Sequence, residues 1–182
     1  MAKQKGIIKL DGTIGGITFY KTTEDGYLAR EKGGVSADKI ANDPAFQRTR
    51  ENGEEFGRAG KAGKLLRNSI RAMLQNASDS RMVGRLTQKM VEVIQEDLTN
   101  PRGQRNVIDG EAELLEGFEF NISGKLGTTL YAPFTGTIDR VAGTLTVNIP
   151  AFVPINMLAA PGGATHFKIV SAGAEIDFEN ET

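Results

Sequence analysis

The middle of the chain, residues 43–116, carries apolar residues at the helical period, and this limits the folds open to the sequence. Asp43 and Pro44 mark a helix start, because aspartate caps free backbone N–H groups and proline suits the first helical position. Asn100-Pro101 stops a second helical stretch, because the residue before a proline disfavours helical geometry. We therefore predict two helices joined by a short turn into an antiparallel hairpin.

The two predicted helices each have an apolar side. At about 100° per residue, one side of the first helix collects Ala59, Ala62, Leu66, Ile70 and Met73. The roughly opposite side collects basic residues, namely Arg50, Lys61, Lys64, Arg67 and Arg71. The second helix carries its apolar residues at helical spacing, namely Val83, Leu86, Met90, Val93 and Ile94. We expect the side with Leu66 and Ile70 to hold the internal core and the basic side to meet a close partner.

The segment before the helices, residues 1–42, predicts a three-stranded β-meander followed by a connector. Residues 6–10, 13–21 and 27–31 have strand-like composition, and Asp11-Gly12 and Asp25-Gly26 are tight-turn signals. Gly15-Gly16 interrupts the second strand and suggests a bulge or a close backbone approach. So short a meander has few large apolar groups, so we expect it to dock on the rest of the chain or on a neighbour.

In residues 117–182 apolar and polar residues alternate with a period of two, which is typical of strands. Strand candidates separated by turn signals lie at residues 118–120, 128–134, 144–149, 166–170 and 174–178. The sequence thus predicts an α+β protein with a small antiparallel β-sandwich at its C-terminal end.

Four glycines, Gly53, Gly57, Gly60 and Gly63, lie inside the first predicted helix. A glycine in a helix interior costs about 1 kcal/mol relative to alanine, so the four cost roughly 4 kcal/mol. We expect a close contact to offset that cost, either within the chain, between subunits or with a phosphate backbone. The interface candidates are Gly53, Gly57, Gly60, Gly63, Lys61, Lys64, Arg67 and Arg71.

Composition excludes several classes of chemistry. The chain has no cysteine and one histidine, which leaves no disulfide, thiolate nucleophile or zinc–thiolate site. The net charge of −1 is uneven: residues 45–90 carry ten basic and four acidic side chains, whereas residues 91–182 carry five and thirteen. Residues 1–10 lack an apolar core of signal-peptide length, so we expect synthesis in the cytoplasm. Later release from the cell, or assembly into a virion or an extracellular structure, stays an alternative.

No catalytic, cofactor or metal site is predicted. His166 has no evident nucleophile or acid beside it in the sequence, as a triad would need. A cluster of carboxylates is interpreted as a solvent-exposed face, with a weak divalent-cation site as the alternative. Its members are Glu111, Glu113, Glu116 and Glu119. The glycine-rich run of residues 11–16 lacks the Gly-Lys-Ser/Thr ending of a phosphate loop.

Parts of the sequence resemble a family of small bacterial and phage proteins of unknown function. The matching runs are residues 12–21 (GTIGGITFYK), 25–30 (DGYLAR), 42–52 (NDPAFQRTREN), 60–63 (GKAG) with Phe56, and 164–168 (ATHFK). The resemblance implies a phage-like or extracellular structural role and transfers no functional residue.

These observations favour a non-enzymatic structural protein that forms a homo-oligomer such as a tube, filament, shell or virion component. The first alternative is a nucleic-acid-binding accessory protein that uses the basic helix side. A second alternative is a carbohydrate- or surface-binding module, although the only amphipathic aromatics are Tyr20, Tyr27 and Tyr131. We expect no membrane insertion and no small-molecule substrate.

Overall fold

The computed structural model describes residues 2–181 and has a mixed α+β architecture, as the sequence predicted. The strands are β1 (Ala2–Lys3), β2 (Gly12–Ile14), β3 (Ile17–Thr22), β4 (Gly26–Glu31), β5 (Thr135–Asp139) and β6 (Thr144–Asn148). The α-helices are α1 (Ala37–Asn42), α2 (Gln47–Ser69), α3 (Arg71–Leu74), α4 (Met82–Gln95), α5 (Leu126–Thr129) and α6 (Pro154–Met157). Single 3₁₀ turns occupy Pro44–Phe46 and Ala112–Leu115. The chain divides between Arg50 and Glu51 into two compact units, each described below by itself.

The first unit contains a four-stranded antiparallel sheet in the order β1-β4-β3-β2. Strands β2, β3 and β4 form a meander, but residues 6–10 are not a strand, which corrects the sequence prediction. The bulge predicted at Gly15-Gly16 was also wrong, because Ile14 pairs with Ile17 across a two-residue hairpin loop. Gly15 has φ +57°, the left-handed region that such loops require.

The side chain of Gln4 explains why residues 6–10 form a loop. Its Oε1 accepts a hydrogen bond from the Leu10 backbone N–H at 2.9 Å, and its Nε2 donates to the Leu10 carbonyl at 3.3 Å. The backbone N–H of Gln4 donates to the Tyr27 carbonyl at 2.9 Å, which holds the base of the loop on the sheet. Ile7 and Ile8 are strongly exposed in this closed loop.

The predicted helix start at Asp43 is confirmed. The Asp43 Oδ1 accepts a hydrogen bond from the Ala45 N–H at 2.9 Å, and Pro44 opens the 3₁₀ turn that leads into α2. The Arg50 guanidinium donates to the carbonyls of Ile40 and Asp43 at 2.6 and 3.0 Å. These bonds satisfy carbonyls at the end of α1 that have no partner within the helix.

The core of the second unit is the predicted helical hairpin, in which α2 packs against α4. Six residues of the predicted apolar sides are buried in the core, namely Ala59, Ala62, Leu86, Met90, Val93 and Ile94. Leu66 and Ile70 are partly buried against it, Met73 is half-buried, and Val83 is 45% exposed. Gly63 is the point of close approach, since a Cβ there would lie 3.6 Å from Leu86 Cγ and 3.8 Å from Met90 Cγ. Helix α4 ends at Gln95, before the Asn100-Pro101 stop that the sequence suggested.

A buried ion pair fixes the loop after α4 against α2. Glu55 is 3% exposed, and its two carboxylate oxygens accept from Arg105 Nε at 2.7 Å and Nη2 at 2.8 Å. The Gly103 backbone N–H donates to the same carboxylate at 2.8 Å. The hydrogen bond from Arg105 holds the pKa of Glu55 below its usual value, against the opposing effect of burial.

Asp97 organises the loop itself. Its Oδ1 accepts from the backbone N–H groups of Thr99 and Asn100 at 2.8 and 3.0 Å, and its Oδ2 accepts from the N–H of Asn106 at 3.0 Å. Burial alone would raise the pKa of Asp97, but the hydrogen bonds from Asn100, Asn106 and Thr99 lower it to about 2. The loop is therefore closed by an ionised carboxylate at neutral pH.

Residues 121–181 do not form the predicted β-sandwich. The described residues of this region contain one two-stranded sheet, β5 with β6, and one isolated bridge between Leu130 and Leu158. The strands predicted at residues 166–170 and 174–178 are absent, because neither segment joins a ladder, and residues 126–129 form α5. Only Leu130 and Ala132 are buried between residues 121 and 181, so the region lacks the second apolar layer that a sandwich needs.

Replacing Glu55 with glutamine should lower the free energy of unfolding by about 3 kcal/mol, because Arg105 would lose the charge that compensates its burial. Urea unfolding of the purified protein measures this loss.

Glu54→Gln is the matched control on the same helix. Glu54 is exposed and lies 3.8 Å from Arg58, so its replacement should change the free energy of unfolding by less than about 1 kcal/mol. Equal effects of the two substitutions would contradict the structural role assigned to Glu55.

Candidate interaction surfaces

The glycine-lined side of α2 is divided between the core and open surface. Gly63 faces the core, whereas a Cβ added to Gly53, Gly57 or Gly60 would meet no heavy atom of the described chain within 4 Å. Phe56 lies beside these three glycines on the helix and is 61% exposed. Packing within the described chain therefore accounts for Gly63 and leaves the cost of the other three glycines without compensation.

The basic residues of α2 and α3 do not form one uniform patch. Arg67 donates from Nε to the Gly63 carbonyl of its own helix at 3.1 Å. Lys61 is exposed and lies 3.7 Å from Glu181, while Lys64 and Arg71 are exposed. Arg50 belongs to the first unit, where it binds the two carbonyls described above. Lys61, Lys64 and Arg71 are thus the exposed members of the predicted set.

An open groove of about 570 Å³ lies beside α2 in the second unit. Arg58, Lys61 and Lys64 line one side of it, and Asn106, Phe178 and Glu181 are among the other lining residues. Arg58 donates to the carbonyls of Gly103 and Arg105, so its guanidinium is committed to holding the loop.

The hairpin of β5 and β6 has one polar face and one apolar face. Its register pairs Thr137 with Thr146 and Ile138 with Leu145. Because side chains alternate along a strand, one face carries Thr135, Thr137, Asp139, Thr144, Thr146 and Asn148. The other face carries Gly136, Ile138, Leu145 and Val147. This apolar face is incompletely covered: Ile138 is 66% exposed, whereas Leu145 and Val147 are 36% and 37% exposed.

Coverage of the apolar hairpin face comes in part from residue 173 of the same chain. A Cβ at Gly173 would lie 3.5 Å from Leu145 Cβ and Cδ2, so the backbone passes directly over β6. The more exposed Ile138 belongs to β5. The uncovered apolar surface is therefore concentrated on the β5 side of the hairpin.

The chain exposes more surface than compact folding predicts. The accessible surface is 13646 Å² for 19.6 kDa, whereas a compact monomer of that mass exposes about 8,600 Å². Two separate compact domains, divided as the two units are, would expose about 10,000 Å². Exposed large apolar side chains in the C-terminal region include Ile122, Phe134, Ile138, Val141, Val153, Ile155, Phe167 and Val170.

The side chains considered above for catalysis or metal binding lie apart from one another. His166 is exposed, and its Nδ1 lies 2.9 Å from the hydroxyl of the adjacent Thr165. Within residues 2–181 no three His, Asp or Glu side chains are placed to hold a metal ion. Glu119 accepts a hydrogen bond from the Leu126 N–H at 3.2 Å. Across the same residues, no helix combines the length and apolar character needed to cross a membrane.

Sequence reasoning missed the β5–β6 hairpin as a separate amphipathic element. The signal was present, since threonines alternate with apolar residues on both sides of the Ala142-Gly143 turn. A strand is predicted at residues 144–149, where β6 lies, but none is predicted at residues 135–139, so the pairing of β5 with β6 is not predicted. Comparisons of the chain with protein-family models, with curated proteins and with solved structures found no match.

Proposed function

We propose that this chain is a non-enzymatic structural protein that assembles into a homo-oligomer. The observation that carries the proposal is the exposed surface, which exceeds that of two separate compact domains by roughly 3,500 Å². An obligate interface buries about 2,000–5,000 Å² in total over both partners. The excess on one chain is thus of the size that contacts with neighbouring copies would cover.

The glycine side of α2 supports the same proposal. Gly53, Gly57 and Gly60 lower the stability of α2, and a Cβ at any of them would meet no atom of another element within 4 Å. A second backbone approaching this side would fit where a larger side chain would not. Phe56 would then be buried at the edge of the contact, and Lys64 would be at its rim.

Charge distribution favours contacts between unlike surfaces of two copies. The segment of residues 45–90 carries a net charge of +6, and that of residues 91–182 carries −8. When the basic part of one copy meets the acidic part of the next, attraction replaces the like-charge repulsion of a symmetric contact. Repeated head-to-tail contacts give closed rings or open filaments, which matches a tube, filament, shell or virion component.

Light scattering of the purified full chain tests the proposal. We expect a mass well above one chain over a range of protein concentrations, and ordered particles by negative-stain microscopy. Because the proposed contacts are in part electrostatic, higher salt should shift the distribution toward smaller species. A single chain mass at every concentration and salt would overturn the proposal.

Gly60→Leu separates an intersubunit role from other roles of the glycine side. In the dissociated chain the substitution should be neutral or stabilising by up to about 1 kcal/mol, since leucine is the better helix former. In the assembled protein it should disrupt association, because the new side chain would occupy the contact. Melting temperature and sedimentation measure the two effects separately.

Two other glycines provide matched controls. Gly84→Leu, on the exposed side of α4, also has no atom within 4 Å of its added Cβ and should leave association intact. Gly63→Leu should instead lower stability by about 1–3 kcal/mol through overpacking against Leu86 and Met90. Normal association of Gly60→Leu would rule out the glycine side as an intersubunit contact.

A further inference from the structure

Residues 165–170 have the sequence of a strand but the environment of an unpaired chain. They run Thr-His-Phe-Lys-Ile-Val. In a strand, Phe167 and Ile169 would project to one side and His166 and Lys168 to the other. Within the described chain no backbone–backbone hydrogen bond involves any of these six residues. Phe167 and Ile169 are about half exposed, and the Phe167 ring lies 5.9 Å from the Phe152 ring of the same chain. The segment therefore offers both free backbone groups and an apolar side.

Strand β5 has the complementary features. In the described chain β5 pairs only with β6, so its outer edge has free N–H and C=O groups. Its apolar side carries Ile138, the most exposed residue of the apolar hairpin face. Its polar side carries Thr135, Thr137 and Asp139. Two-stranded hairpins are marginally stable alone, and a third strand would supply the missing packing.

We propose that residues 165–170 of one copy add as a third strand to the outer edge of β5 in the next copy. This inference rests on the proposed homo-oligomeric function and names the surfaces that form the contact. Phe167 and Ile169 would extend the apolar face over Ile138, and His166 and Lys168 would extend the polar face. Lys168 then lies on the same face as Asp139, which gives opposite charges on neighbouring strands.

The described chain does not pair its own donor segment with the β5 edge, because β5 pairs with β6 and residues 165–170 make no backbone–backbone hydrogen bond. Gly173, just after the donor, lies against the Leu145 side chain on the apolar face of the hairpin. The β5 edge is thus left for the donor of another copy. Each copy thus carries one donor and one acceptor, and the resulting head-to-tail contact closes into a ring or continues as a filament.

Cysteine cross-linking tests the pairing directly, because the chain has no cysteine of its own. A donor variant, His166→Cys or Lys168→Cys with a mass tag, is mixed with an untagged acceptor variant, Thr135→Cys or Thr137→Cys. After dissociation, reassembly and copper-phenanthroline oxidation, a non-reducing gel should show a tagged–untagged dimer for at least one pair. Strand neighbours on one face have Cβ atoms about 4.5–5.5 Å apart, close to disulfide geometry.

Two controls use the same strands. Thr146→Cys lies on the same face as Thr137 but one strand farther away, so its cross-linking yield should be several-fold lower. Ile169→Cys projects to the opposite face and should give a similarly low yield with Thr137→Cys. A higher yield from Thr146→Cys than from Thr137→Cys would overturn the assignment to the β5 edge.

The result distinguishes failure of this inference from failure of the proposed function. Sedimentation of the same mixtures reports whether the chain assembles. An assembled protein in which no donor position cross-links to residue 135 or 137 overturns the strand addition and leaves the homo-oligomer standing. A mixture that stays at the mass of one chain overturns both.

Discussion

Leu86 and Met90 of α4 pack directly over Gly63 of α2, and the second unit is organised around this contact. The apolar residues of α2, α3 and α4 meet there, and Val107, Phe118 and Phe120 close the cluster from the following segments. Because apolar burial is the main favourable term in folding, the stability of this unit is concentrated in about half of its length. The ion pair of Glu55 and Arg105 then fixes the loop after α4 against α2.

The C-terminal region contrasts with this core. From residue 121 onward the chain is ordered mainly by local turns and the β5–β6 ladder, with two buried residues in the described part. Its exposed apolar residues are spread over segments without regular structure and over one face of a hairpin. The proposed assembly would bury part of this apolar surface against neighbouring copies.

Local signals in the sequence predicted the elements whose contacts are close in sequence. The residue types at Asp43 and Pro44 predict the helix start, and the helical spacing of apolar residues predicts the core-facing sides of α2 and α4. These features are present in the structure. The loop of residues 4–10 was missed because it depends on the Gln4 side chain, which competes with strand pairing. Gly15-Gly16 was assigned to a bulge because two glycines suit either a bulge or a hairpin loop.

Contacts between residues far apart in the sequence could not be predicted from local sequence patterns. The burial of Glu55 depends on Arg105, fifty residues away, and no periodicity links the two. The strand-like alternation at residues 166–170 shows which faces the side chains take but not whether a partner strand exists. Of the candidate surface, the glycine positions on α2 could be predicted, whereas their division between core and open surface needed the position of α4.

Amide hydrogen exchange in the purified, assembled protein tests the central claim most directly. The claim is that neighbouring copies cover the C-terminal surface and pair with its free backbone groups. We predict slow exchange for the amides of residues 165–170 in the assembly and fast exchange once it is dissociated, because these amides have no backbone partner in the described chain. Exchange in the intact assembly at the rate of an unstructured peptide would contradict the account.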